Sequence, residues 1–143
     1  MCEAFLLNRL AKQFSYSRKE KLKSRKRLEE LFRSGKSFTV FPIKIFYLDV
    51  EEQDNPVKAG VGVSGRNFKK SVQRNRIKRL LKEVYRTEKI PLYTCAEKNK
   101  KYLAVFLLYI DKIMPEHNLL KEKMKLVIQR LIHELNEMAS ENT

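Results

Sequence analysis

Between Arg66 and Lys89 the chain reads Arg-Asn-Phe-Lys-Lys-Ser-Val-Gln-Arg-Asn-Arg-Ile-Lys-Arg-Leu-Leu-Lys-Glu-Val-Tyr-Arg-Thr-Glu-Lys, ten Lys/Arg against two Glu. This one stretch carries +8 of the formal +14 of the 143-residue chain. The charge is ordered. At about 100° per residue, Ile77, Leu80, Leu81 and Val84 share one side of a helix, while Asn75, Arg79, Lys82 and Arg86 form a stripe opposite. Arg74, Arg76 and Lys78 fill the flanks. The apolar side must be buried against a core, so the cations are held on the outside. Guanidinium and ammonium groups gathered there call for a polyanion, RNA or DNA.

A run of charge is more often only a solvated helix face. Three observations set this one apart. Arginine is as frequent as lysine in it, and arginine suits bidentate phosphate contacts. The cations lie on a stripe with few compensating acids. A second basic segment, Arg18 to Lys36, holds nine Lys/Arg and three Glu, whereas residues 116–143 hold four Lys/Arg and five Glu. Charge is therefore segregated along the chain, as expected for a functional face.

The length suits one domain with one modest core, running from 18 to 140, between an N-terminal arm (1–17) and a short tail (141–143). The longest apolar run, Tyr102 to Ile110, is nine residues, about half of what a membrane-spanning helix needs. Glu3 interrupts the N-terminal apolar residues, so no signal peptide is read, and a cytoplasmic protein without membrane partners is expected. Cys2 and Cys95 fit no metal spacing and read as separate thiols in a reducing compartment. His117 and His133 alone do not make a zinc site, and no metal-ligating residue is assigned.

Self-contained catalysis is not indicated. The segment Gly60-Val-Gly-Val-Ser-Gly65 lacks the lysine and spacing of a phosphate loop. Neither histidine has a nucleophile beside it, and His133, next to Ile132, reads as packed or solvated. Glu83 and Glu88 sit among cations and read as salt-bridge partners, Glu83 four residues after Arg79.

Leu28, Leu31 and Phe32 predict a short amphipathic helix that Gly35 ends in a left-handed cap. Residues 37–50 read as two strands broken at Pro42, which cannot donate to a ladder. Glu51 to Pro56 reads as a solvent loop. In the strand 57–63, Val57, Ala59, Val61 and Val63 share a face, and Gly60 and Gly62 leave the other open to close approach. Residues 90–101 read as a polar link, and Tyr102 to Ile110 as a strand buried on both faces. Leu120, Met124, Val127, Ile128, Leu131, Leu135 and Met138 trace a final helix, with Asn118 as its N-cap. The order α-β-β-β-α-β-α predicts an α+β fold, helices packed on one mixed sheet. Phe32, Phe38, Phe41, Phe46 and Tyr47 cluster in the first helix and the strands after it. Most belong to the core, and any that faces outward offers a base-stacking platform beside the cations.

The run Arg74-Asn-Arg-Ile-Lys-Arg79, following Lys-Lys-Ser-Val, resembles the protein subunits of bacterial ribonuclease P. So do Leu22-Lys-Ser-Arg-Lys-Arg-Leu-Glu-Glu-Leu-Phe-Arg-Ser-Gly35 and the strand Gly60-Val-Gly-Val-Ser64 that leads into the basic helix. The similarity covers roughly residues 20 to 135. It implies a two-layer α/β sandwich whose basic helix lies in a left-handed β-α-β crossover. It also implies a partner, a catalytic RNA that uses Mg²⁺ to remove the 5′ leader of precursor tRNA, with the protein binding that RNA and the leader. By this resemblance Arg74, Asn75, Arg76, Lys78 and Arg79 contact the catalytic RNA. Arg66, Lys69, Lys70, Lys82 and Arg86 extend that surface. Arg25, Leu28, Phe32 and Phe46 fall in the leader cleft, with Leu28 standing where the family often has an aromatic. Mg²⁺ would be held mainly by the RNA, and DNA is not an expected partner.

Other readings fit the basic stripe as well. A general RNA-binding or ribosome-associated protein would show the same face. A DNA-binding module would need its basic helix free to enter a major groove, whereas this one lies between two strands. An autonomous nuclease would need clustered carboxylates, and none is apparent in the sequence.

Overall fold

The computed structural model describes residues 20–51 and 55–141. The expected arm and the final two residues of the expected tail lie outside them. In chain order the elements are α1 (Arg25–Ser34), β1 (Lys36–Val40), β2 (Ile43–Val50), β3 (Val57–Val63), α2 (Ser71–Glu88), α3 (Ile90–Lys98), β4 (Tyr102–Tyr109) and α4 (His117–Glu141). The expected α+β order holds with one helix added. The strands form one mixed sheet ordered β1-β2-β4-β3, in which β1/β2 and β2/β4 are antiparallel and β3/β4 are parallel. A parallel pair needs a long crossover, and α2 with α3 fills it.

The main core lies between one face of the sheet and α2, α3 and α4. Ile43, Ile45 and Tyr47 of β2, and Leu103, Val105, Leu107 and Tyr109 of β4, point into it. They meet Ile77, Leu81 and Val84 of α2 and the Leu120–Leu135 stripe of α4. The periodicity that marked both helices is thus the periodicity of burial. On the sheet's other face α1 packs Leu31 against Val50, Ala104 and Leu22 in a second, smaller cluster.

Four local expectations are corrected. The polar link is α3, a helix in which Leu92 and Ala96, four residues apart, are buried. Pro91 sits in its first turn, where the missing N–H breaks no helical bond. Asn118 does not cap the last helix, which already begins at His117. Gly35 does end α1, but in an extended conformation (φ −74°, ψ 159°). Its lack of a side chain matters for space. A Cβ there would collide with the Leu31 carbonyl oxygen and lie 2.9 Å from that of Tyr47. Finally, β4 is fully buried only on its helix-facing side, and on the other Tyr102, Phe106 and Leu108 stay half-buried.

The segment before α1 is tied down. The Leu22 N–H donates to the Ala59 carbonyl at 3.0 Å, and Lys21 bridges Ala59 in parallel, so the free edge of β3 is covered. Beside this bridge the buried Glu20 carboxylate pairs with the buried Lys89 ammonium, which also lies 5.0 Å from the Tyr93 ring centroid. The Tyr93 phenol is pushed far above its ordinary value, chiefly by burial and then by Tyr85 and Glu20. Lys89 therefore belongs to the interior and adds nothing to the cationic surface. Removing one partner of a buried pair strands the other charge. Glu20→Ala should cost about 3 kcal/mol of unfolding free energy in urea titration, whereas a loss within experimental error would show the pair to be dispensable.

Candidate nucleic-acid interface

The basic helix is oriented by the loop that leads into it. The Ser64 N–H donates to the Tyr109 carbonyl at 3.3 Å, continuing the β3/β4 pairing beyond the strand. The Asn67 side-chain amide donates to the carbonyls of Ile110 (3.0 Å) and Asp111 (3.3 Å). Phe68 is buried, its ring 6.2 Å from that of Tyr109. From the helix side, Nη1 of Arg74 reaches back to the carbonyls of Phe68 and Lys69, both at 2.8 Å. Four residues thus clamp the start of α2 onto the end of the central strand.

With that end fixed and Ile77, Leu81 and Val84 buried, the cations take determined places. Asn75, Arg76, Arg79 and Lys82 are exposed, and Lys78 is half-buried. Among the described residues none of these five side chains makes a hydrogen bond or ion pair within the protein. Arg66, Lys69 and Lys70 are exposed on the clamped loop. Two of the expected contact residues are differently employed. Arg74 braces the loop, as described. Arg86, half-buried, is engaged by Glu83 through two contacts, Nη2 to Oε1 at 2.6 Å and Nε to Oε2 at 3.3 Å. That hydrogen-bonded pairing holds the Glu83 carboxyl below its usual range. Glu83 serves Arg86 rather than Arg79, which leaves Arg79 free.

The sheet's other face carries the aromatics. Ser37, Phe46, Phe106 and Gly60 lie in one row across all four strands. Phe32 of α1 stands edge-on above them, its centroid 5.0 Å from Phe46 and 5.1 Å from Phe106, with interplanar angles of 80° and 73°. The Phe106 ring lies against bare backbone. A Cβ on Gly62 would sit 2.6 Å from its Cζ, and one on Gly60 3.1 Å from its Cδ2. The close approach expected over these glycines is therefore this ring. Phe32 keeps 49% of its surface exposed despite two aromatic neighbours, so a stacking surface remains available. Lys44 places its ammonium 5.2 Å from the Phe46 centroid.

Leu28, Phe32 and Phe46 therefore converge, and Arg25 is exposed one helical turn before Leu28. Phe106 and Lys44 were missed. The signal for Phe106 was present in the two glycines of β3, whose neighbour across a pairing had to be large. Phe38 and Tyr47 are core, while Phe41 is exposed at the β1/β2 turn.

Among the described residues no three His, Cys, Asp or Glu side chains come together as a metal site, and no helix is long and apolar enough to cross a membrane. His133 pairs with Glu137 at 3.0 Å on the surface of α4, and Cys95 is a half-buried free thiol.

A cation-bearing helix inside a β-α-β crossover, with an aromatic face across the sheet, defines an α/β protein of a particular kind. The family model for ribonuclease P matches residues 16–132. The chain is 33% identical over 132 residues to the ribonuclease P protein component of Chlorobium phaeobacteroides, covering 85% of this chain and 88% of that one. It is 27% identical over 130 residues to the component of Porphyromonas gingivalis, covering 90% and 95%. In fold it is similar to the ribonuclease P protein of Staphylococcus aureus (TM-score 0.61, 15% identity, 77% of this chain and 93% of that one). The Thermotoga maritima protein is similar too (TM-score 0.60, 18% identity, 78% and 96%). The chain belongs to the ribonuclease P protein family, whose role lies in tRNA 5′-end maturation.

The contrast between Arg74 and Arg79 is open to test. Arg74→Ala removes two charged hydrogen bonds that position a loop and should lower stability by about 1.5 kcal/mol. In a thermal melt that is roughly 3–6 °C. Arg79→Ala should leave the melting temperature unchanged. Equal melts for both variants would assign Arg74 to the free cationic face instead.

Proposed function

We propose that this chain is the protein subunit of a ribonuclease P ribonucleoprotein and that it binds two RNA segments at once. The cation stripe of α2, with Arg66, Lys69 and Lys70, takes the catalytic RNA. The face of Phe32, Phe46 and Phe106, with Leu28, Arg25 and Lys44 around it, takes the single-stranded 5′ leader of precursor tRNA. The observation that carries this reading is the placement of these surfaces on opposite sides of one sheet. Phosphate repulsion between the two RNAs is relieved by the cations, and unpaired bases stack on the exposed ring of Phe32. Bases need no sequence-specific hydrogen bonds for that, which suits leaders of differing sequence.

Endonucleolytic cleavage belongs, in this reading, to the RNA subunit and to Mg²⁺ bound there. The protein's part is to bind, orient and screen charge. A cytoplasmic setting goes with this role.

Binding of the catalytic RNA should weaken by about 0.7–0.9 log units per log unit of salt for each phosphate contacted. The Arg79→Ala/Lys82→Ala variant should lower that slope by about 2 while its melting temperature stays at wild type. Filter binding across a salt series measures both. A slope unaltered in the double variant would remove the α2 stripe from the interface.

A further inference from the structure

An open groove of about 700 Å³ runs between α2 and the start of α4. Arg76, Arg79 and Leu80 form one wall, and Pro115, Glu116 and His117 form the other. Glu83 closes one end, but its carboxylate is already held by Arg86 on both oxygens. Glu116 is exposed, and its carboxylate has no hydrogen bond or ion pair among the described residues. The groove thus combines two unpaired guanidiniums, an apolar strip at Leu80 and Pro115, an imidazole and a free carboxylate.

No simple anion satisfies that set. Phosphate alone would be drawn to the arginines and repelled by Glu116, while an uncharged lipid or apolar peptide would leave the cations unpaired. A nucleotide meets each requirement in turn: phosphate for the arginines, a flat base for the strip and imidazole, and base-edge N–H donors for the carboxylate. Resting on the RNA-binding reading above, we propose that this groove receives one unpaired nucleotide of the RNA bound along α2, with guanine preferred. Guanine presents two adjacent N–H donors, at N1 and N2, which match the two oxygens of Glu116. Uracil's single N–H lies between two carbonyl oxygens that the carboxylate would repel. Unpaired bases splayed from an RNA are the ones a protein can read by such edges.

The full-chain protein, labelled with ¹⁵N, is titrated with 5′-GMP, 5′-CMP, 5′-UMP and inorganic phosphate, and amide shifts are followed. The proposal expects shifts at Arg76, Arg79, Leu80, Glu116 and His117, with an apparent dissociation constant for 5′-GMP about tenfold below that for 5′-UMP. Glu116→Gln should abolish this preference while leaving nucleotide-dependent shifts in place, and Arg79→Ala should weaken all nucleotides alike. Equal affinities for the nucleotides and phosphate, or shifts confined to the Phe32–Phe46–Phe106 face, would overturn it. Filter binding of the catalytic RNA to wild-type protein separates the two layers. Tight RNA binding with a silent groove removes only this inference, whereas absent RNA binding removes the function on which it rests.

Discussion

The parallel pairing of β3 with β4 governs where everything else in this molecule can be. Antiparallel strands can be joined by a tight turn, but a parallel pair obliges the chain to return the full length of the strand before pairing again. The return path here is α2 and α3, and its first half is the most basic segment of the sequence. Burial of Ile77, Leu81 and Val84 fixes the helix's rotation, and the contacts of Ser64, Asn67, Phe68 and Arg74 fix the height of its start. The cations then have no freedom beyond that of their own side chains. A cationic face built on a packed helix is therefore largely organised before any partner arrives, which would lower the entropy cost of the proposed association.

The same pairing prepares the opposite face. Because β4 runs between β2 and β3, Phe106 has Phe46 on one side and Gly60 on the other. Glycine at 60 and 62 lets the ring lie close to the backbone of β3, and α1 brings Phe32 across the top. The bridge of Lys21 to Ala59 and the buried Glu20–Lys89 pair hold the chain leading into α1 against the edge of β3 and the α2/α3 junction. One sheet thus supports two chemically distinct surfaces, cationic on the helical side and aromatic on the other.

Much of this was legible in the residues. The 3.6-residue spacing of apolar side chains located α2 and α4 because burial and periodicity are the same fact seen twice. Gly35 was readable as a stop, but not the reason for it, since the neighbouring Tyr47 carbonyl arrives from a strand twelve residues further on. α3 escaped notice because nine residues with a proline and two β-branched side chains have little helical signal of their own, and its stability comes from burying Leu92 and Ala96. The unbroken apolar run of β4 concealed an open face, since hydrophobicity alone does not say which neighbours a strand will have. The sequence placed Arg74 and Arg86 on the cationic face and counted Lys89 in its charge. Only the fold shows that one braces a loop, one is paired on the helix surface and one is buried.

The proposed division of labour between protein and RNA is tested most directly by cleavage of a precursor tRNA bearing a 5′ leader, at low millimolar Mg²⁺. The protein alone, the cognate ribonuclease P RNA alone and the two together are compared. Efficient release of the leader only when both are present is the predicted result. Cleavage by the protein alone would contradict it by revealing an active site among the protein's own residues. Tight RNA binding with no stimulation of cleavage would contradict it too, leaving a protein that binds RNA without a catalytic partner.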